Sequence, residues 1–135
     1  MGFEILEHTA DVGIRATSDT LSGVFEEAAA GLLEITGARR TAGGRPHSVH
    51  LVADDVEGLL VDWLNEILFL QDSRDQVITG IEIDDLSETS LRATIYTAPR
   101  GSEMLEGTQV KAVTYHQLAV ERTDHGWVAE VFVDV

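Results

Sequence analysis

Cysteine is absent from this 135-residue chain, which excludes disulfide frameworks, thiolate metal sites and thiol nucleophiles together. Bases are scarce: nine of them, all arginine except Lys111, stand against 24 acids. The formal net charge of −15 repels phosphate backbones and argues against strong direct nucleic-acid binding. Long apolar runs are missing too. The longest, Leu59 to Leu70, is interrupted by Asp62, Asn65 and Glu66 and is too short to span a bilayer. The G-x-G-x-x-G, Walker A, G-x-S-x-G and H-E-x-x-H signatures do not occur, so the usual nucleotide and hydrolase motifs are lacking. Residues 1–7 carry acids where a signal peptide carries bases, and Leu6 stands where a myristoylation signal needs Ser or Thr. These observations predict a cytoplasmic protein without a membrane segment.

What remains is ordinary globular material. With 44% hydrophobic residues and a mean hydropathy of +0.02, the chain is neither disordered nor membrane-embedded, and residues 1–135 fit one domain. Phe3 and Ile5, then Val12, Ile14 and Ala16, alternate as half-buried strands do. The period then changes to a helical stripe of Leu21, Val24, Phe25, Ala28, Leu32 and Ile35, with Thr20 as N-cap and Gly37 as stop. Residues 39–46 read as loop, and Val49 and Leu51 as a short strand. A capping box, Asp54-x-x-Glu57, opens a second helix whose apolar residues, Trp63 and Phe69 among them, are expected in the core. Its wet face is narrow: Gly58, Asp62, Asn65 and Glu66. Residues 77–84 and 89–96 read as strands, residues 98–107 as loop, and residues 110–123 and 127–133 as a hairpin turning at Asp124-His125-Gly126. Hairpins interleaved with two helices predict an α+β two-layer sandwich, a mixed, largely antiparallel sheet with both helices on one face.

Three places offer chemistry. In His8-Thr9-Ala10-Asp11 the two polar ends converge only if a turn or bulge separates them, and a turn aspartate bonding nearby N–H groups is the simpler reading. If the chain ends at Asp134-Val135, a side-chain carboxylate and an α-carboxylate sit one residue apart there. With a third carboxylate they are hard oxygen donors suited to Ca²⁺ or Mg²⁺, against the alternative of a frayed, solvated end. The apolar strand running up to Asp134 argues that the end is tied into the sheet. Lys111 and His116 lie in one strand, Lys111 as a compact ammonium for a carboxylate cluster or phosphate, or as one surface salt bridge of small worth. His116 is a ligand, a base or a solvated strand residue. His47, His50 and His125 read as structural, and Arg39, Arg40 and Arg45 as a solvated basic loop.

Taken together, HTADVGI (8–14), FEEAAAGLLEI (25–35), LLVDWLNEILFL (59–70), VKAVTYH (110–116) and the final Asp134-Val135 resemble the archease family over essentially the whole chain. The resemblance implies a metal-binding activator rather than an enzyme, one that promotes guanylylation of the GTP-dependent tRNA-splicing ligase so that it turns over repeatedly. It also implies a divalent-metal site, most often Ca²⁺, on Asp11, Asp134 and Val135, the last through its main-chain oxygens, with His8, Lys111 and His116 nearby as accessory candidates. Similar sequences commonly carry a histidine and a glutamate before VKAVTYH, where Met104 and Gln109 stand here. Two other function classes fit the residues. One is a general chaperone or modulator of RNA- or DNA-modifying enzymes, and the other a small metal-dependent hydrolase using Asp11, Asp134 and a histidine.

Overall fold

A computed structural model of the protein describes residues 1–7, 11–37, 44–73, 76–99 and 107–135. The element order is β1 (Gly2–Glu7), β2 (Asp11–Ser18), α1 (Leu21–Thr36), β3 (Arg45–Val52), α2 (Val56–Ser73), β4 (Gln76–Leu86), β5 (Ser90–Pro99), β6 (Ala112–Thr123) and β7 (Gly126–Asp134). This is the expected α+β composition. The strands, however, divide into two sheets, ordered β1-β2-β7-β6 and β3-β5-β4, and every pair among the described strands is antiparallel. Strand pairing is non-local, so alternation along the chain shows that strands exist but not how they are shared between sheets.

The helices follow their local chemistry. Thr20 is extended and its hydroxyl accepts from the N–H of Gly23 at 3.0 Å, capping α1. At the other end Gly37 takes φ 77°, a left-handed cap that costs glycine little. The start of α2 differs from the expected capping box. Asp55, not Asp54, is the cap: its Oδ1 accepts from the N–H of Gly58 at 2.7 Å, and its carbonyl accepts the first helical bond, from Leu59, at 3.0 Å. Asp54 lies one residue too far upstream.

One apolar face of each sheet closes on the helices. Val24, Phe25, Ala28 and Leu32 of α1 and Leu59, Leu60, Trp63, Leu64 and Ile67 of α2 are buried. They share a core with Ile14 and Ala16 of β2, Leu91, Ala93 and Ile95 of β5, and Ala129, Val131 and Val133 of β7. Each helix touches strands of both sheets, so the helices tie the two together. Trp63 also bridges the helices directly, its indole N–H donating to the carbonyl of Phe25 at 3.0 Å. Burying each such side chain contributes roughly 1.5–3 kcal/mol.

Two further expectations change. Phe69 is 48% exposed rather than core, because it follows Gly58, Asp62 and Asn65 at helical spacing and falls on the wet stripe of α2. The strand expected only around Val49 begins at Arg45 and includes Pro46, opposite Tyr96. Because β3 is an edge strand, a residue without an N–H is tolerated there.

Candidate functional site

In the β2–β7 pair the even-numbered residues of β2, Val12, Ile14 and Ala16, oppose Val133, Val131 and Ala129 and face the core. The odd-numbered residues therefore line the opposite face of the sheet. Along that outer face three rows follow one another: Asp11 opposite Asp134, Gly13 opposite Phe132, and Arg15 opposite Glu130. The structure thus brings the carboxylate of the HTAD segment and the one near the chain's end into a single cross-strand pair. Directly opposed residues have Cβ atoms about 4.5–5.5 Å apart, and like charges so placed repel. Asp11 is partly buried and Asp134 exposed.

The end of β7 is held, as the apolar run before it suggests. On the side away from β2 the carbonyl of Asp134 accepts the N–H of Lys111 at 2.8 Å, and Ala112 is its register partner on β6. Val135 packs against the core. Lys111 thus meets Asp134 through its main chain. Its ammonium forms no ion pair with a described carboxylate.

The next row is built around Phe132. It is buried on the outer face, and a Cβ on Gly13 would lie 2.7 Å from its Cε2, so only glycine lets the ring cover β2 here. His116 stands edge-on to that ring, with centroids 6.0 Å apart. It therefore shares the outer face with the carboxylate pair, one row away. Behind it Arg15 pairs with Glu130 at 3.2 Å and Glu4 at 3.4 Å, neutralising part of the third row. His8 and Met104 lie outside the described residues, as do Arg39 and Arg40. Gln109 is exposed. Among the described residues no three His, Asp or Glu side chains gather closely enough to hold a metal. Asp11 and Asp134 are hard oxygen donors, of the kind that main-chain oxygens and water complete around Ca²⁺.

β6 reaches this region irregularly. Its register with β7 shifts between Thr114 and Ala119, and Gln117 takes φ 51° in the bulge. The bulge leaves Tyr115 66% exposed. Neither Tyr115 nor Val52, 71% exposed at the end of β3, stands out in the sequence. Only the spacing of the α2 stripe could have marked Phe69.

Comparison with known proteins bears on this arrangement. The sequence model described as the archease protein family matches residues 3–135. The chain belongs to the archease family. Among curated relatives, the protein archease of Methanosarcina mazei is 35% identical, covering 98% of this chain and 95% of its own. That of Saccharolobus islandicus is 36% identical, covering 98% of each chain. Of solved structures, a solution structure of Methanobacterium thermoautotrophicum protein 1598 matches this archease-family chain with a TM-score of 0.75 at 28% identity, covering 99% of both chains. The crystal structure of an archease from Thermotoga maritima, described as a possible chaperone, gives a TM-score of 0.69 at 25% identity over 96% of this chain and 94% of that one. Among the described residues of this archease-family chain, no helix is long and apolar enough to cross a membrane.

Proposed function

We propose that this chain is a metal-binding protein cofactor, not itself an enzyme, that activates the tRNA-splicing RNA ligase by promoting its guanylylation and repeated turnover. Family membership supports the partner. The observation that carries the reading is the Asp11–Asp134 pair: two like charges held opposite each other need a cation more than they need each other. The donor set fits Ca²⁺, which accepts six to eight oxygens in flexible geometry and takes main-chain carbonyls and waters alongside carboxylates.

In this reading Asp11 and Asp134 are the fixed ligands, and the main-chain oxygens of Val135 complete the protein's contribution. The hydrogen bond from the N–H of Lys111 holds the Asp134 main chain in place. Phe132 and Gly13 close the sheet beneath the neighbouring row, so the carboxylates stand on a rigid strand pair rather than a loop. A divalent cation bound there supplies charge neutralisation for a nucleoside triphosphate. The acidic surface, at a net charge of −15, steers the chain onto a basic RNA-handling enzyme and chiefly speeds association. The RNA itself stays with the ligase, which reconciles an acidic protein with RNA chemistry.

Multiple-turnover joining by a cognate ligase, with and without the chain, tests this reading. The chain should convert a ligase that stalls after about one round into one that cycles. An unchanged ligase, together with equal help to unrelated enzymes, favours a general chaperone instead, in keeping with the Thermotoga maritima relative's description as a possible chaperone.

A further inference from the structure

We propose that the groove where β3, α2 and the bulge of β6 meet is the docking surface for a basic segment of the partner enzyme, one carrying an apolar side chain beside its arginines or lysines. The inference rests on the reading that this chain acts on the ligase.

Five large apolar side chains are exposed among the described residues, and two of them, Val52 and Tyr115, line this one groove. Asp54, Asp55 and Asp62 surround them, and no base is among the described lining residues. An apolar floor with an acidic rim complements a partner segment of opposite charge carrying an apolar anchor, the arrangement in which aromatic residues dominate binding energy. Asp55 is occupied as the α2 cap, which leaves Asp54 and Asp62 as the carboxylates for a partner.

Local structure presents the groove rather than filling it. Tyr115 is carried outward by the β6 bulge that contains Gln117. The strand is fastened to α2 just before that point, the N–H of Val113 donating to Asn65 Oδ1 at 3.4 Å. Asn65 belongs to the same stripe as Asp62 and the half-exposed Phe69, so apolar surface continues down the helix.

Position adds a second argument. Ala112 is paired with Asp134, and Tyr115 follows three residues later on the same strand. At about 3.3 Å per residue, Tyr115 lies roughly 10 Å along β6 from the row of Asp134, on the helix side of the sheet. Because β6 is the edge strand of its sheet, a partner seated in the groove and reaching round that edge would meet the carboxylates on the opposite face.

The test is the affinity of the cognate ligase for purified chains, by calorimetry, at low and moderate salt. Val52→Ser combined with Tyr115→Ala should weaken binding about tenfold or more. Asp54→Lys with Asp62→Lys should do the same and remove most of the salt dependence. Both double variants should keep the wild-type melting temperature and Ca²⁺ affinity, which separates docking from folding and from the metal site. Glu121→Lys with Asp124→Lys, an equal charge change on exposed residues at the far end of the β6–β7 hairpin, should leave affinity unaltered. If wild type binds and stimulates the ligase while both double variants bind as tightly, the groove is not the docking surface and the proposed function stands. If wild type neither binds nor stimulates the ligase, both proposals fall.

Discussion

Asp11 and Asp134 face each other across the β2–β7 ladder, at opposite ends of the sequence and on the sheet face away from the helices. Without a cation the pair is a local liability, because two carboxylates opposed in a sheet repel. With one it is a ready-made pair of hard ligands on a rigid support.

That double nature predicts a crossover. In metal-free buffer Asp134→Asn should leave the protein as stable as wild type or more stable, by up to about 1 kcal/mol. In saturating Ca²⁺ wild type should gain stability by mass action and the variant should not. Thermal melts of both proteins with Ca²⁺ and with chelator check the four values.

A second prediction concerns the row beneath the pair. Gly13→Ala places a Cβ against the Phe132 ring, which cannot withdraw without opening the outer face. The expected loss is about 1–3 kcal/mol of overpacking strain. Because Phe132 is two residues from Asp134, Ca²⁺ affinity should fall as well. Urea denaturation and metal titration of the same variant measure the two effects separately.

The contact between the helices gives a stability prediction remote from the site. Trp63→Phe removes the indole bond to the Phe25 carbonyl and leaves unfilled volume in the core. The cost should be about 2–4 kcal/mol in urea denaturation, with ligase stimulation retained at temperatures where the variant is folded.

Tyr96 supplies the pH prediction. Its hydroxyl donates to Glu82 Oε2 at 3.0 Å, and this hydrogen bond, with the carboxylate's charge, raises the phenol's pKa above the ordinary 10.0. The neutral phenol is favoured in the folded state. The associated stabilisation is thus complete below the unfolded value and is lost as pH rises through the folded one. In a Tyr115→Phe background, so that Tyr96 is the only tyrosine, ultraviolet titration should give a midpoint above 10, and Glu82→Gln should lower it.

Local features were legible in the sequence and non-local ones were not. Thr20 and Gly37 bounded α1 because caps are set by backbone hydrogen bonds within a few residues. The Asp124-His125 turn was equally plain. Phe69 departs from the core expectation because its apolar side chain follows Asp62 and Asn65 at helical spacing, on the wet stripe. The division into two sheets depends on which strands remain edges, which alternation does not encode. At the candidate site, residue chemistry marks Asp134 and Val135 as hard oxygen donors short of a third carboxylate and reads Asp11 as a turn aspartate, and only the family resemblance joins the three. The opposition of Asp11 and Asp134 follows from a β2–β7 register between distant segments. Tyr115 was visible as a letter in VTYH, but its exposure comes from a bulge whose extra residues have no signature in the chain itself.

Single-turnover guanylylation of a cognate ligase, followed with wild type and with Asp134→Ala, tests the central claim most directly. Wild type should accelerate formation of the guanylylated ligase, and Asp134→Ala, folded as judged by its melt, should lose most of that acceleration. No acceleration by wild type, or full acceleration by the variant, would contradict the account.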